Sequence, residues 1–223
     1  MLYCLIDIFA SFRTRSHPLL LFYNNLTPEL AAGILLAVLV GMTVHEFAHN
    51  YVAYLMGDMT PIEQGRLTFN PMVHIYWPGF IMFVLIGFGI LGSAPINYRR
   101  MRNPRWGYLA AVAAGPFSNL LIAIIAGIIL RVMIANDILL DSSLVVTLVL
   151  TMIRFNILLF IFNLLPLHPL DGWSIVYTLL PPAQADAWAR NAQLTGYVFL
   201  ALILLSFFPL LPPELDPLNL IIR

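Results

Sequence analysis

In the segment Val44-His45-Glu46-Phe47-Ala48-His49-Asn50, two histidines stand four residues apart and a glutamate directly follows the first. On a helix, residues i and i+4 share a face about 6 Å apart, so both imidazoles can bind one metal ion. Glu46 falls beside that face, within reach of a water at the metal without being a ligand. This is the arrangement of metal-assisted hydrolysis. The flanks sharpen the reading. Residues 31–44 are almost wholly aliphatic, so the helix is of a kind that crosses a bilayer, and ionisable side chains at such depth mark functional sites. Without a metal, the pair and the glutamate would be three desolvated polar groups facing hydrocarbon.

A catalytic zinc takes three protein ligands and keeps a fourth position open. Three residues are candidates for the third ligand: Asp171, His168 and His74. Asp171 lies where an apolar stretch is broken by Pro166 and Pro169, with Gly172 directly after it. A carboxylate balances metal charge in a low dielectric better than a third imidazole does, which favours Asp171 and leaves the other two open.

Composition sets the frame for these residues. Of 223 residues, 61% are hydrophobic and 10% are charged, and mean hydropathy is +0.88. A soluble domain carries about 25% charged residues, so the expectation is an all-α, multi-pass membrane protein. The basic residues are all arginine and net charge is zero. That leaves no electrostatic basis for binding nucleic acid. A lone Cys4 excludes an internal disulfide framework. The basic Arg13 and Arg15 follow the first apolar stretch instead of preceding it, which argues against a cleaved signal peptide.

The elements follow from hydrophobic runs and their stops. Residues 1–25 hold two apolar pieces too short to span and read as an interfacial flank. Thr27-Pro28-Glu29 has the order of a helix start, with Thr as N-cap, Pro in the first turn and an acid beside it. That first span is expected to run to about Met56 and stop at Gly57-Asp58. Residues 59–105 form a mixed insertion. Its 65–71 stretch has extended, turn-ended character, and its apolar 79–92 stretch suits a re-entrant or interfacial segment. Further spans are expected over 106–133, 144–165 and 194–211, giving about four. One domain, 1–223 with a core over 30–182, accounts for the whole chain.

Arg99, Arg100, Arg102 and Arg105 form the densest positive cluster and are expected to face the cytoplasm. The second span then runs outward and the third returns Asp171 to the cytoplasmic side. His45, about 24 Å along the first span at 1.5 Å per residue, falls in the same leaflet. Arg13 and Arg15 run against this orientation and require the amino-terminal stretch to loop back. The expected setting is the plasma (inner) membrane, with the site toward the cytoplasm.

Four ordered segments together carry a family resemblance. They are His45-Glu46-Phe47-Ala48-His49; Gly65-Arg66-Leu67-Thr68-Phe69-Asn70-Pro71-Met72-Val73-His74-Ile75; Ala114-Gly115-Pro116-Phe117-Ser118-Asn119; and Phe162-Asn163-Leu164-Leu165-Pro166-Leu167-His168-Pro169-Leu170-Asp171-Gly172. With these the chain resembles the site-2 proteases, intramembrane zinc metalloproteases, in their small form without an inserted PDZ domain. The resemblance implies one Zn²⁺ held by His45, His49 and Asp171, with Glu46 as general base. It also implies a membrane-spanning protein substrate cut within its transmembrane segment, near the cytoplasmic face. Two places depart from the family pattern. Tyr76-Trp77 stand where Asp-Pro is usual, and Ser93-Ala94-Pro95-Ile96-Asn97 stands for Pro-x-Pro-x-Asn. Both lie outside the ligand set and bear on how substrate is received.

Other polar residues admit two roles. Asn119, in mid-span after Gly115-Pro116, either donates to substrate or a developing oxyanion, or staples two helices. Asn163 is a second candidate for substrate or oxyanion, though it is better placed to satisfy carbonyls freed by the break at Pro166. Arg154 suits snorkelling or helix pairing. Two other function classes fit parts of the pattern. A zinc transporter would string ligands along a through-path, whereas these gather in one leaflet. A catalytically silent scaffold would not need the full ligand set beside a general base.

Overall fold

The computed structural model describes residues 27–86, 89, 91–138 and 142–207. The sequence readings for residues 1–25 and for the tail beyond 207 lie outside these.

The long helices form where runs of aliphatic residues meet clear start signals. Helix α1 spans Pro28–Leu55, and the Thr27 hydroxyl accepts from the Leu30 N–H at 3.2 Å as its N-cap. It stops at Gly57, whose φ of +105° lies in the left-handed region that glycine enters without strain. Two four-residue helices follow, α2 (Thr60–Glu63) and α3 (Pro71–His74), and then α4 (Trp77–Ile86). After a 3₁₀ turn at Tyr98–Arg100 come α5 (Pro104–Ala135) and α6 (Ser143–Asn163). Asn103 and Ser142 cap these two through their side-chain oxygens. Three shorter helices close the described chain: α7 (Asp171–Leu179), α8 (Pro182–Arg190) and α9 (Ala192–Phe207).

Helices α1, α5 and α6 pack against one another as a three-helix bundle, with α7 against α5, α8 on α7 and α9 on α8. Each of the three bundle helices holds a segment long and apolar enough to cross a membrane. The fourth expected span, 194–211, is represented by the sixteen-residue α9, and residues 208–211 lie outside the described part. Gly33 and Gly41 of α1 let α6 approach closely.

The insertion at 59–105 folds differently from the extended reading. Its only ladder contact among the described residues is a single antiparallel bridge between Ile75 and Gly92. The 65–71 stretch is a loop that ends in α3, because Asn70 caps the Met72 N–H and Pro71 presets the first helical φ. Buried Asp58 ties the insertion together, accepting from the Thr60 N–H, the Thr60 hydroxyl and the Asn97 N–H at 2.6–3.0 Å. Helix α4 closes against the bundle through Val38, Met42, Phe83 and Leu91, with the Phe83 and Phe155 rings 5.9 Å apart.

Candidate metal centre

His45 and His49 project from α1 toward the N-terminal part of α5, and both are at least 94% buried. Their Nε2 atoms stand 2.9 Å apart. Asp171, the first residue of α7, brings Oδ2 to 3.1 Å from His45 Nε2 and 3.3 Å from His49 Nε2. The site therefore lies inside the bundle, in the half nearer the ends of α1 and α6 and the start of α5.

Helix α7 reaches this place because both its ends are held. Gly172 lies on the last turn of α6, where any Cβ would fall inside contact distance of the Leu164 and Leu165 carbonyl oxygens. At the other end Arg105 donates to the carbonyls of Thr178 and Leu179 at 3.0 Å and of Leu180 at 3.3 Å. These are the acceptors that a helix C-terminus leaves unpaired, and a cation also suits the negative end of the helix dipole.

The outer ring nitrogens decide what the inner ones can do. His49 Nδ1 faces the Ala111 carbonyl at 2.8 Å, and a carbonyl can only accept, so the proton is on Nδ1. His45 Nδ1 faces Asn119 Oδ1 at 2.6 Å and donates to it. In their neutral form both rings then turn an Nε2 lone pair inward, where the Asp171 carboxylate oxygen joins them. Three such donor atoms within 4.8 Å of one another repel unless a proton or a metal ion lies among them, and the cluster could hold a metal ion. Two imidazoles and one carboxylate suit zinc and match the ligand number of a catalytic site.

The bundle leaves a cradle for that centre. At Gly115 an added Cβ would stand 2.7 Å from His45 Nε2 and closer still to His49 Nε2. No residue but glycine leaves this space. Glu46, 4% exposed, points to the neighbouring side, where its carboxylate lies against the backbone of Gly92 and its Oε2 has no hydrogen-bond partner.

The other candidates settle elsewhere. His74 is buried, with Nε2 2.7 Å from the Thr68 carbonyl, and His168 stacks edge-on against Trp173. Neither belongs to the ligand-atom cluster found among the described residues. Asn119 is fully buried, and both its amide protons are taken, by the Gly41 carbonyl and by Asn156 Oδ1. Asn163 donates to the Leu159 carbonyl at 3.0 Å. Sequence reasoning passed over Asn156 and the clamp at Arg105. An amide in the apolar part of a span was the available signal for the first, since such a group needs a partner.

No family model and no solved structure matches the chain. Among curated proteins, it is 38% identical over 180 residues to "Putative zinc metalloprotease YwhC" of Bacillus subtilis (strain 168), covering 79% of this chain and 81% of the relative. Identity over that share of both chains, joined to a site whose donors suit zinc, places the protein in the zinc metalloprotease family of that relative.

Proposed function

We propose that the protein is an intramembrane zinc endopeptidase of the site-2 protease type, cutting membrane-anchored proteins within their transmembrane segments. One observation carries this reading. Buried His45, His49 and Glu46 lie on a helix apolar enough to span a bilayer, and the partly buried Asp171 completes the donor set beside two more such helices.

His45, His49 and Asp171 would hold the metal. Bound zinc supplies Lewis-acid polarisation of the scissile carbonyl and activates water for attack near neutral pH. Glu46 takes the proton from the attacking water and passes it to the leaving amine. Its buried carboxylate has an unpartnered oxygen free for that exchange. A helical substrate hides its carbonyls in i→i−4 bonds, so it must unwind locally before one reaches the site. Glycine or proline near the cut should therefore speed cleavage.

Reconstituted in liposomes with a single-span peptide, the protein is expected to cut inside the apolar segment, as read by mass spectrometry of the products. Stripping zinc with 1,10-phenanthroline should abolish cleavage, and restoring zinc should return it. Cleavage that persists without zinc, or products ending only outside the apolar segment, would overturn the reading.

The site faces the cytoplasm in this proposal, because it lies in the half of the bundle nearer Arg99, Arg100, Arg102 and Arg105. In a Cys4→Ser background, Arg99→Cys is expected to resist a membrane-impermeant thiol reagent on intact cells. Ile138→Cys, at the opposite end of α5, is expected to react. The reverse pattern would invert the topology.

A further inference from the structure

Asn156 is fully buried in α6 and bonds to Asn119, the partner of His45. Its Nδ2 donates to the Met152 carbonyl at 2.9 Å and lies 3.2 Å from Met152 Sδ. Its Oδ1 accepts from Asn119 Nδ2, also at 2.9 Å. Asn119 gives its other amide proton to the Gly41 carbonyl at 3.0 Å and turns Oδ1 to His45 Nδ1. The absence of a side chain at Gly41 makes room for this junction, since a Cβ there would stand 2.7 Å from Asn156 Oδ1.

The direction of each bond in this series is fixed from its ends. An amide presents its oxygen and its nitrogen in nearly the same shape, so its orientation depends on its partners. The Met152 and Gly41 carbonyls can only accept, which holds Asn156 with its oxygen toward Asn119 and Asn119 with its oxygen toward His45. We propose that Asn156 is a positioning residue for the zinc centre, holding Asn119 so that His45 keeps its proton on Nδ1 and its Nε2 lone pair toward the metal. The proposal rests on His45 being a zinc ligand. Without the Asn156 oxygen, one Asn119 N–H is left unpaired among apolar groups. Any rotation that recovers a partner for it draws Oδ1 away from His45.

Zinc affinity, read by competition with a chromophoric chelator, and the visible bands of the Co²⁺-substituted protein provide the test. Asn156→Leu is expected to weaken zinc binding by about 10- to 100-fold and to alter the Co²⁺ bands. In an Asn119→Ala background the amide that Asn156 orients is gone. There the further change Asn156→Leu should alter affinity by less than about threefold. Equal losses in the two backgrounds would make Asn156 a packing residue, and unchanged affinity in the first would remove it from the site; either overturns the proposal. If Asn156→Leu does not fold, Asn156→Ala carries the same expectations. Asn156→Asp, whose protonated carboxyl can both accept from Asn119 and donate to Met152, should hold affinity within about threefold. A parent protein that binds no zinc would strike the ligand reading itself.

Discussion

Glu46→Gln is expected to keep its zinc and lose turnover by about 100-fold or more, the cost of removing a general base. The substitution preserves shape and leaves His45, His49 and Asp171 in place, so metal content isolates the proton-transfer role from ligation. Among the described residues Glu46 has no side-chain hydrogen-bond partner whose loss would confuse the result, and its backbone carbonyl still accepts from Asn50 Nδ2 at 2.7 Å. The measurements are zinc per chain by atomic absorption and cleavage of a reconstituted substrate. Near-normal cleavage would sink the hydrolytic mechanism and return the scaffold and transporter readings.

Gly115→Ala should be nearly as damaging through one added methyl group. The new carbon would stand 2.7 Å from His45 Nε2 and nearer to His49 Nε2, both buried and unable to retreat without breaking their Nδ1 bonds. Either α5 moves out or the imidazoles turn, and a displacement of about 1 Å at a reacting centre costs on the order of 100-fold. Zinc affinity and turnover are expected to fall together. Gly127→Ala in the same helix serves as the control, since no heavy atom lies within 4 Å of its added carbon. That variant should bind zinc and cleave as the parent does. Equal behaviour of the two variants would mean that the cradle at Gly115 is not part of the site.

Much of this site was legible because its signals are local. The pair at His45 and His49 needs only helical spacing, and the start of α1 needs only Thr27-Pro28. The ligand position of Asp171 was less secure from residues alone, since His168 and His74 were equally polar and equally near a break. What distinguishes them is where α7 begins, and that depends on Arg105 and on the contact of Gly172 with the end of α6. The role of Asn119 was hidden for the same reason. Its partners Gly41, His45 and Asn156 come from two other helices, and no spacing within α5 announces them. In the insertion, turn residues at 65–71 suggested extended chain, whereas Asn70-Pro71 is equally a helix start.

The two histidines and the aspartate stand on opposite sides of α5 and α6 in the chain order. A membrane protein is made and inserted from its amino end, and its domains form in that order. During synthesis the histidine pair therefore enters the bilayer well before its third partner exists. A ribosome that stalls within α5 or α6 leaves a fragment with a metal-binding pair but an incomplete centre. Proteolytic capacity is thus withheld until α7 has folded back onto α5. The nascent chain, inserted beside other newly made membrane helices, is unarmed for as long as it is unfinished.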